Sequence, residues 1–180
     1  MPGRNHILER ARERLLSVLA HEPPRWFVVD VVSQELLLVS RDTVADRWRV
    51  STAAAGLDAR EGSGGTPPGV HRISRKIGAD QPVGAVFASR EPTGDTWHAG
   101  SPSAEGLDLI VSRILTLEGL EDGVNRGSGV DSESRYIYLH GTNHESELGR
   151  PVSHGCIRLG SRDVLEVFDA AVVGDPLVIL

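Results

Sequence analysis

Cys156 is the only cysteine in 180 residues. It stands two residues after His154 and sixteen after His140. A lone thiol cannot close an internal disulfide, and with histidines nearby it is a candidate nucleophile. The thiolate is the attacking species, so the thiol needs a proton acceptor near neutral pH. Histidine suits that role because its ordinary pKa lies close to neutrality. The plain alternative is a buried structural thiol that packs like a small hydrophobe. Ser153-His154-Gly155 before the cysteine, Ile157-Arg158 after it and His140-Gly141-Thr142 upstream favour the nucleophile.

The neighbouring residues fit acyl transfer. Gly155 lets backbone approach a substrate without a Cβ clash. The amides around Gly155 and Cys156 are candidate oxyanion-hole donors. Arg158 either holds a substrate carboxylate or fixes the loop through backbone carbonyls. Ser153 is placed to hydrogen-bond within the loop. No acidic residue stands out as the group that orients the imidazole, since helix capping accounts for Asp163. His140, His144, His154 and Cys156 are all zinc-ligand types. The spacing of His140 and His144 suits a helix, however, and Gly141, Gly149 and Pro151 interrupt the segment, so no metal or other cofactor is expected.

These residues need a scaffold. Residues 5–20 read as an amphipathic helix, with Leu8, Ala11, Leu15, Val18 and Leu19 on one face. Residues 26–32 and 35–40 read as a hairpin about Ser33-Gln34. Further strands are read at 48–52, 70–77 and 83–88. Residues 107–117 fit a strand or a short helix. A strand over 135–139 ends at His140 and sets Tyr136 and Tyr138 on one face. Ser161 is placed to cap a helix from Arg162 to about Ala171, and a last strand runs from Leu177 to Leu180. Residues 53–69, 90–106 and 119–134 read as loops, the first and last being possible lids. The pattern is mostly β, a sandwich or barrel with few helices.

Length fits one domain with a sizeable core. A net charge of −6 argues against nucleic acid as a partner. Eighteen of the 19 basic residues are arginine, the exception being Lys76, which leaves many guanidiniums for carboxylate recognition. No run is long and apolar enough for a signal-peptide core or a membrane span, so a cytoplasmic location is expected. A periplasmic one is expected if an export signal has been trimmed.

Ser153-His154-Gly155-Cys156-Ile157-Arg158, preceded by His140-Gly141-Thr142, resembles the signature of the L,D-transpeptidase (YkuD-type) catalytic domain. Thr66-Pro67-Pro68-Gly69-Val70-His71-Arg72-Ile73 is similar to that family's Thr-Pro-x-Gly-x-x-x-Ile segment. The resemblance covers residues 25–180 and leaves residues 1–24 as a helical extension packed on the domain. It implies the family's β-sandwich or barrel. It also implies that His140 is the general base, oriented by the Gly141 carbonyl, and that His154 shapes the site. Arg158, His154, Ser153 and Thr142 are then candidate substrate-binding residues. The implied substrate is a peptidoglycan tetrapeptide stem, cleaved before its terminal D-alanine through a Cys156 thioester. Water as acceptor gives an L,D-carboxypeptidase. A second stem's amine gives a 3→3 cross-link. The segment from Arg113 to His140 is similar to signal-less members that trim recycled murein, which favours water. A reading of another class is an inactive muropeptide-binding module, against which the intact His140 and Cys156 weigh.

Overall fold

The computed structural model describes residues 2–99, 101 and 106–180, with side chains from residue 6 onward. Part of the loop read over 90–106 therefore lies outside the described residues.

Among the described residues the chain forms two α-helices and ten strands. They are α1 (Pro2–Val18), β1 (Arg25–Asp30), β2 (Glu35–Ser40), β3 (Thr43–Arg49), β4 (Gly69–Ile77), β5 (Ala85–Ala88), β6 (Glu91–Thr96), β7 (Ile110–Gly119), β8 (Tyr138–Thr142), β9 (Ile157–Leu159), α2 (Ser161–Ala170) and β10 (Pro176–Ile179). The strands join in one sheet, ordered β3-β2-β1-β10-β4-β7-β5-β6, with β8 and β9 branching from β7. The sheet does not close on itself, so the architecture is mainly β but not a closed barrel.

Strand β1 shows why apolar runs replace alternation here. Trp26 and Val28 pack into a cluster with Ala11 and Leu15 of α1. Phe27 and Val29 pack into the opposite cluster, which holds Val164, Val167 and Phe168 of α2. With both faces covered, the four inner positions Trp26, Phe27, Val28 and Val29 are all apolar. The hairpin to β2 turns at Asp30, whose carboxylate accepts from the Val32 and Ser33 amides.

Several elements differ from the sequence reading. The strand read at 48–52 is instead β3, which ends at Arg49. Ser51 and Thr52 leave the sheet and hold the nucleophile segment. Ser51 and Arg158 exchange backbone hydrogen bonds of 2.9 Å, and the Ser153 amide donates to the Thr52 carbonyl at 2.9 Å. Strand β6 falls in a stretch read as loop because all six of its residues are exposed and carry no apolar signal. The segment left open between strand and helix is strand β7.

The strand read over 135–139 begins only at Tyr138, because Asp131 organises a turn by accepting the Ser134 amide and Tyr136 takes a φ of 58°. Tyr136 and Tyr138 therefore do not share a strand face, and His140 lies mid-strand rather than at the end. Ser161 does not cap α2. Gly160 is the N-cap, and the Glu145 carboxylate accepts the Ser161 amide at 2.7 Å. Asp163 does lie in the first turn, where a negative charge suits the helix dipole.

His71 on β4 is fully buried. Its Nδ1–H donates to the Gly69 carbonyl at 3.0 Å, and the Ser132 hydroxyl donates to Nε2 at 2.9 Å. Burial depresses its pKa to about 4. His140 is depressed to about 4 by the same cause. Below about pH 6.5 the unfolded chain takes up protons at both positions while the folded chain does not. The stability they contribute is complete above that pH and is lost as pH falls towards 4. The loss is on the order of 3 kcal/mol per histidine. A Tm about 10–15 °C lower at pH 4.5 than at pH 7.5 is expected by circular dichroism. A flat Tm across that range would contradict the buried neutral pair.

Candidate active site

Two adjacent strands bring the candidate residues together. Strands β8 and β9 run parallel, pairing His140 with Arg158 and Leu139 with Ile157. Cys156 precedes β9 by one residue and so stands at the mouth of this ladder. A cavity of about 160 Å³ is lined by Asp108, Ile110, His140, Ser153, His154, Cys156 and Arg158.

His140 is buried, and its Nδ1 lies 2.9 Å from the Gly141 carbonyl. A carbonyl only accepts, so Nδ1 carries the proton and the lone pair sits on Nε2. The candidate base is thus held as a neutral tautomer. Burial depresses its pKa to about 4, with the Arg158 charge adding to the effect and the Gly141 bond opposing it. Gly141 has to be glycine on packing grounds, because an added Cβ would overlap the Val111 carbonyl across the β7–β8 ladder.

Cys156 donates its S–H to the Tyr136 carbonyl at 3.3 Å, and the Tyr138 amide donates to the sulfur at 3.4 Å. Desolvation of the sulfur pushes the thiol up to about 11, against the pull of the Tyr138 amide and Arg158. The resting pair is therefore a neutral thiol and a neutral imidazole in one cavity.

The loop that carries Cys156 is fixed from both sides. The Ser153 hydroxyl donates to the Cys156 carbonyl at 2.6 Å and accepts the Gly155 amide at 3.2 Å. The Thr66 hydroxyl, fully buried, donates to the Gly155 carbonyl at 2.9 Å and accepts the Ala53 amide at 3.0 Å. Gly155 has φ of 136°, and a Cβ there would come within 3.1 Å of Ile137 Cδ1. The Gly155 amide is thus spent within the loop. The donor aimed at the Cys156 sulfur is the Tyr138 amide, which the sequence reading did not name.

Other candidates are placed unequally. Arg158 is only 4% exposed and forms an ion pair with Asp108. His154 is largely exposed, with Nδ1 3.4 Å from Asp108 Oδ2. Thr142 is fully buried, its hydroxyl accepts the His144 amide at 3.1 Å, and it does not line the cavity. The sequence reading missed Asp108 and Thr66. Thr66 carried a signal in the Thr-Pro-Pro-Gly segment, whereas Asp108 carried none. Among the described residues, no three His, Cys, Asp or Glu side chains converge as metal ligands.

The two suspected lids are tied down. Arg135 donates to the carbonyls of Asp58, Ala59 and Gly65 at 3.2, 2.8 and 2.9 Å, which pins residues 53–69. Buried Asn125 donates to the Pro68 and Val70 carbonyls at 3.0 Å each, which pins residues 119–134. Residues 107–109 contribute Asp108 to the cavity wall. Asn143 Nδ2 donates to the Leu107 carbonyl at 2.7 Å, and its Oδ1 accepts the Leu109 amide at 2.9 Å. His144 Nε2–H donates to the same Leu107 carbonyl at 2.9 Å.

Residues 24–179 match the family model of the L,D-transpeptidase catalytic domain. The fold is similar to that of an L,D-transpeptidase from Mycobacterium smegmatis, with a TM-score of 0.52 and 18% identity over 87% of this chain and 58% of that one. It is also similar to L,D-transpeptidase 3 from Mycobacterium tuberculosis in complex with a faropenem-derived adduct, with a TM-score of 0.51 and 16% identity over 87% and 60% of the two chains. A Bacillus licheniformis sequence named for L,D-transpeptidase YkuD is 59% identical over 29 residues, which are 16% of this chain and 18% of that one. The chain thus spans less than two thirds of the length of these relatives.

Proposed function

The chain belongs to the L,D-transpeptidase catalytic domain family, and from that membership and the site geometry we propose that it cleaves peptidoglycan tetrapeptide stems before their terminal D-alanine and passes the acyl group to water. The observation that carries the reading is the cavity that holds a neutral His140, with its lone pair on Nε2, together with Cys156.

His140 Nε2 takes the thiol proton as the sulfur attacks the carbonyl of the third stem residue. The C–S bond forms and the carbonyl oxygen becomes an oxyanion. The Tyr138 and Cys156 amides donate to that oxygen. Protonated His140 then gives its proton to the departing D-alanine nitrogen, and the C–N bond breaks. A thioester remains on Cys156. Water, deprotonated by His140, attacks the thioester; the C–S bond breaks, the tripeptide leaves with a free carboxyl group and His140 returns its proton to the sulfur. Ser153 and Thr66 hold the nucleophile loop in register through this cycle, and Gly141 keeps the imidazole tautomer. Arg158 and His154 present cationic or polar groups to the stem at the cavity wall.

Water as the acceptor is favoured by the resemblance of residues 113–140 to family members that trim recycled murein. Mass spectrometry of the products from a disaccharide-tetrapeptide, with and without a tripeptide acceptor, tests this. Loss of one D-alanine with no dimer is expected. A cross-linked dimer would replace hydrolysis by transpeptidation on the same thioester. Recovery of intact tetrapeptide, with binding but no turnover, would replace both by a muropeptide-binding module.

A further inference from the structure

Residues 107–109 form a strap with two different faces. Leu107 and Leu109 line a cavity of about 340 Å³, while Asp108 between them points into the catalytic cavity. There its Oδ2 takes the Arg158 guanidinium and lies 3.4 Å from His154 Nδ1. A guanidinium carries five N–H donors. Among the described residues, Asp108 is the acceptor that the Arg158 guanidinium has. Arg158 is nearly inaccessible at 4% exposure, whereas Asp108 is 41% exposed. A buried cation is expensive without a counter-ion, so this carboxylate fills the position that an anionic ligand would otherwise take.

We propose that Asp108 is a specificity-determining residue of the catalytic cavity: it neutralises Arg158 in the free protein, and a substrate carboxylate must compete with it for that guanidinium. The strap thereby sets how strongly the cavity discriminates between anionic and neutral groups beside Cys156. Recognition of a stem-peptide carboxylate in this way rests on the function proposed above. The charge relation between Asp108, Arg158 and the thiol does not.

The test uses two alkylating probes of similar size, anionic iodoacetate and neutral iodoacetamide. In each the Cys156 thiolate displaces iodide and forms a thioether. The readout is the ratio of their second-order rate constants at low ionic strength, which cancels changes in thiol reactivity common to both. Asp108→Asn leaves Arg158 uncompensated and is expected to raise the iodoacetate-to-iodoacetamide ratio by about tenfold. The rise should collapse at 1 M salt. Asp108→Glu should keep the wild-type ratio, and Asp108→Asn combined with Arg158→Gln should return to it. An unchanged ratio in Asp108→Asn, with Tm within a few degrees of wild type, would overturn the proposal. If Asp108→Asn does not fold, the double variant and wild-type salt series decide: a double-variant ratio far from wild type overturns it. Failure of the peptidoglycan reading would appear separately, as wild-type protein that alkylates normally yet leaves tetrapeptide intact.

Discussion

Cys156→Ala is expected to lower tetrapeptide turnover by at least about 10,000-fold, since the one hydroxyl in the cavity, that of Ser153, is held donating to the backbone carbonyl of residue 156. The fold should survive. The residue is half-buried, and the bonds its side chain makes are one to the Tyr136 carbonyl and one from the Tyr138 amide. The loop around it is held by Ser153 and Thr66 through backbone atoms that the variant keeps. A Tm within about 3 °C of wild type is therefore expected. A structural thiol makes the opposite prediction, with stability falling and activity persisting. Activity measured alongside a melting curve separates the two.

His140→Gln should cost about 100- to 10,000-fold in kcat/KM, the range for loss of a positioned acid–base group. Glutamine offers an amide in place of the imidazole and limits the void left at a site that is only 4% exposed. Wild type also carries a pH signature of this residue. The imidazole's pKa is depressed to about 4, so it stays a competent base well below its ordinary range. The acid limb of kcat/KM should fall near pH 4–5, read on protein that circular dichroism shows to be folded at each pH. A limb centred at 6.5 would mean that His140 is solvated in the working enzyme. Retention of full activity by His140→Gln would remove it from the mechanism.

The candidate site was legible in the sequence because most of its residues are local. A cysteine flanked by Ser153-His154-Gly155 and Arg158 announces itself through residue types alone, as does His140-Gly141. The use of the Gly141 carbonyl was implied by the family resemblance rather than by the residue types. What stayed hidden depends on distant chain segments. Asp108 faces Arg158 only because β7 pairs with β8 and β8 with β9. Thr66 reaches Gly155 across 89 residues. Strand β6 is exposed on both faces and so carries no apolar period. The start of β8 was misplaced because Tyr136 and Tyr138 imitate alternation, while Asp131 turns the chain between them and the preceding loop. Residues 53–69 and 119–134 have the composition of mobile loops, yet Arg135 and Asn125 anchor them through backbone carbonyls that no composition displays.

The central claim is a covalent acyl bond on one named sulfur. Intact-protein mass spectrometry after rapid mixing with tetrapeptide, followed by peptide mapping, tests it most directly. The mass should rise by that of the tetrapeptide stem less D-alanine, on the peptide that contains Cys156, and the adduct should be absent in Cys156→Ala. Turnover of tetrapeptide with no adduct on Cys156, or with the same adduct in Cys156→Ala, would contradict the account.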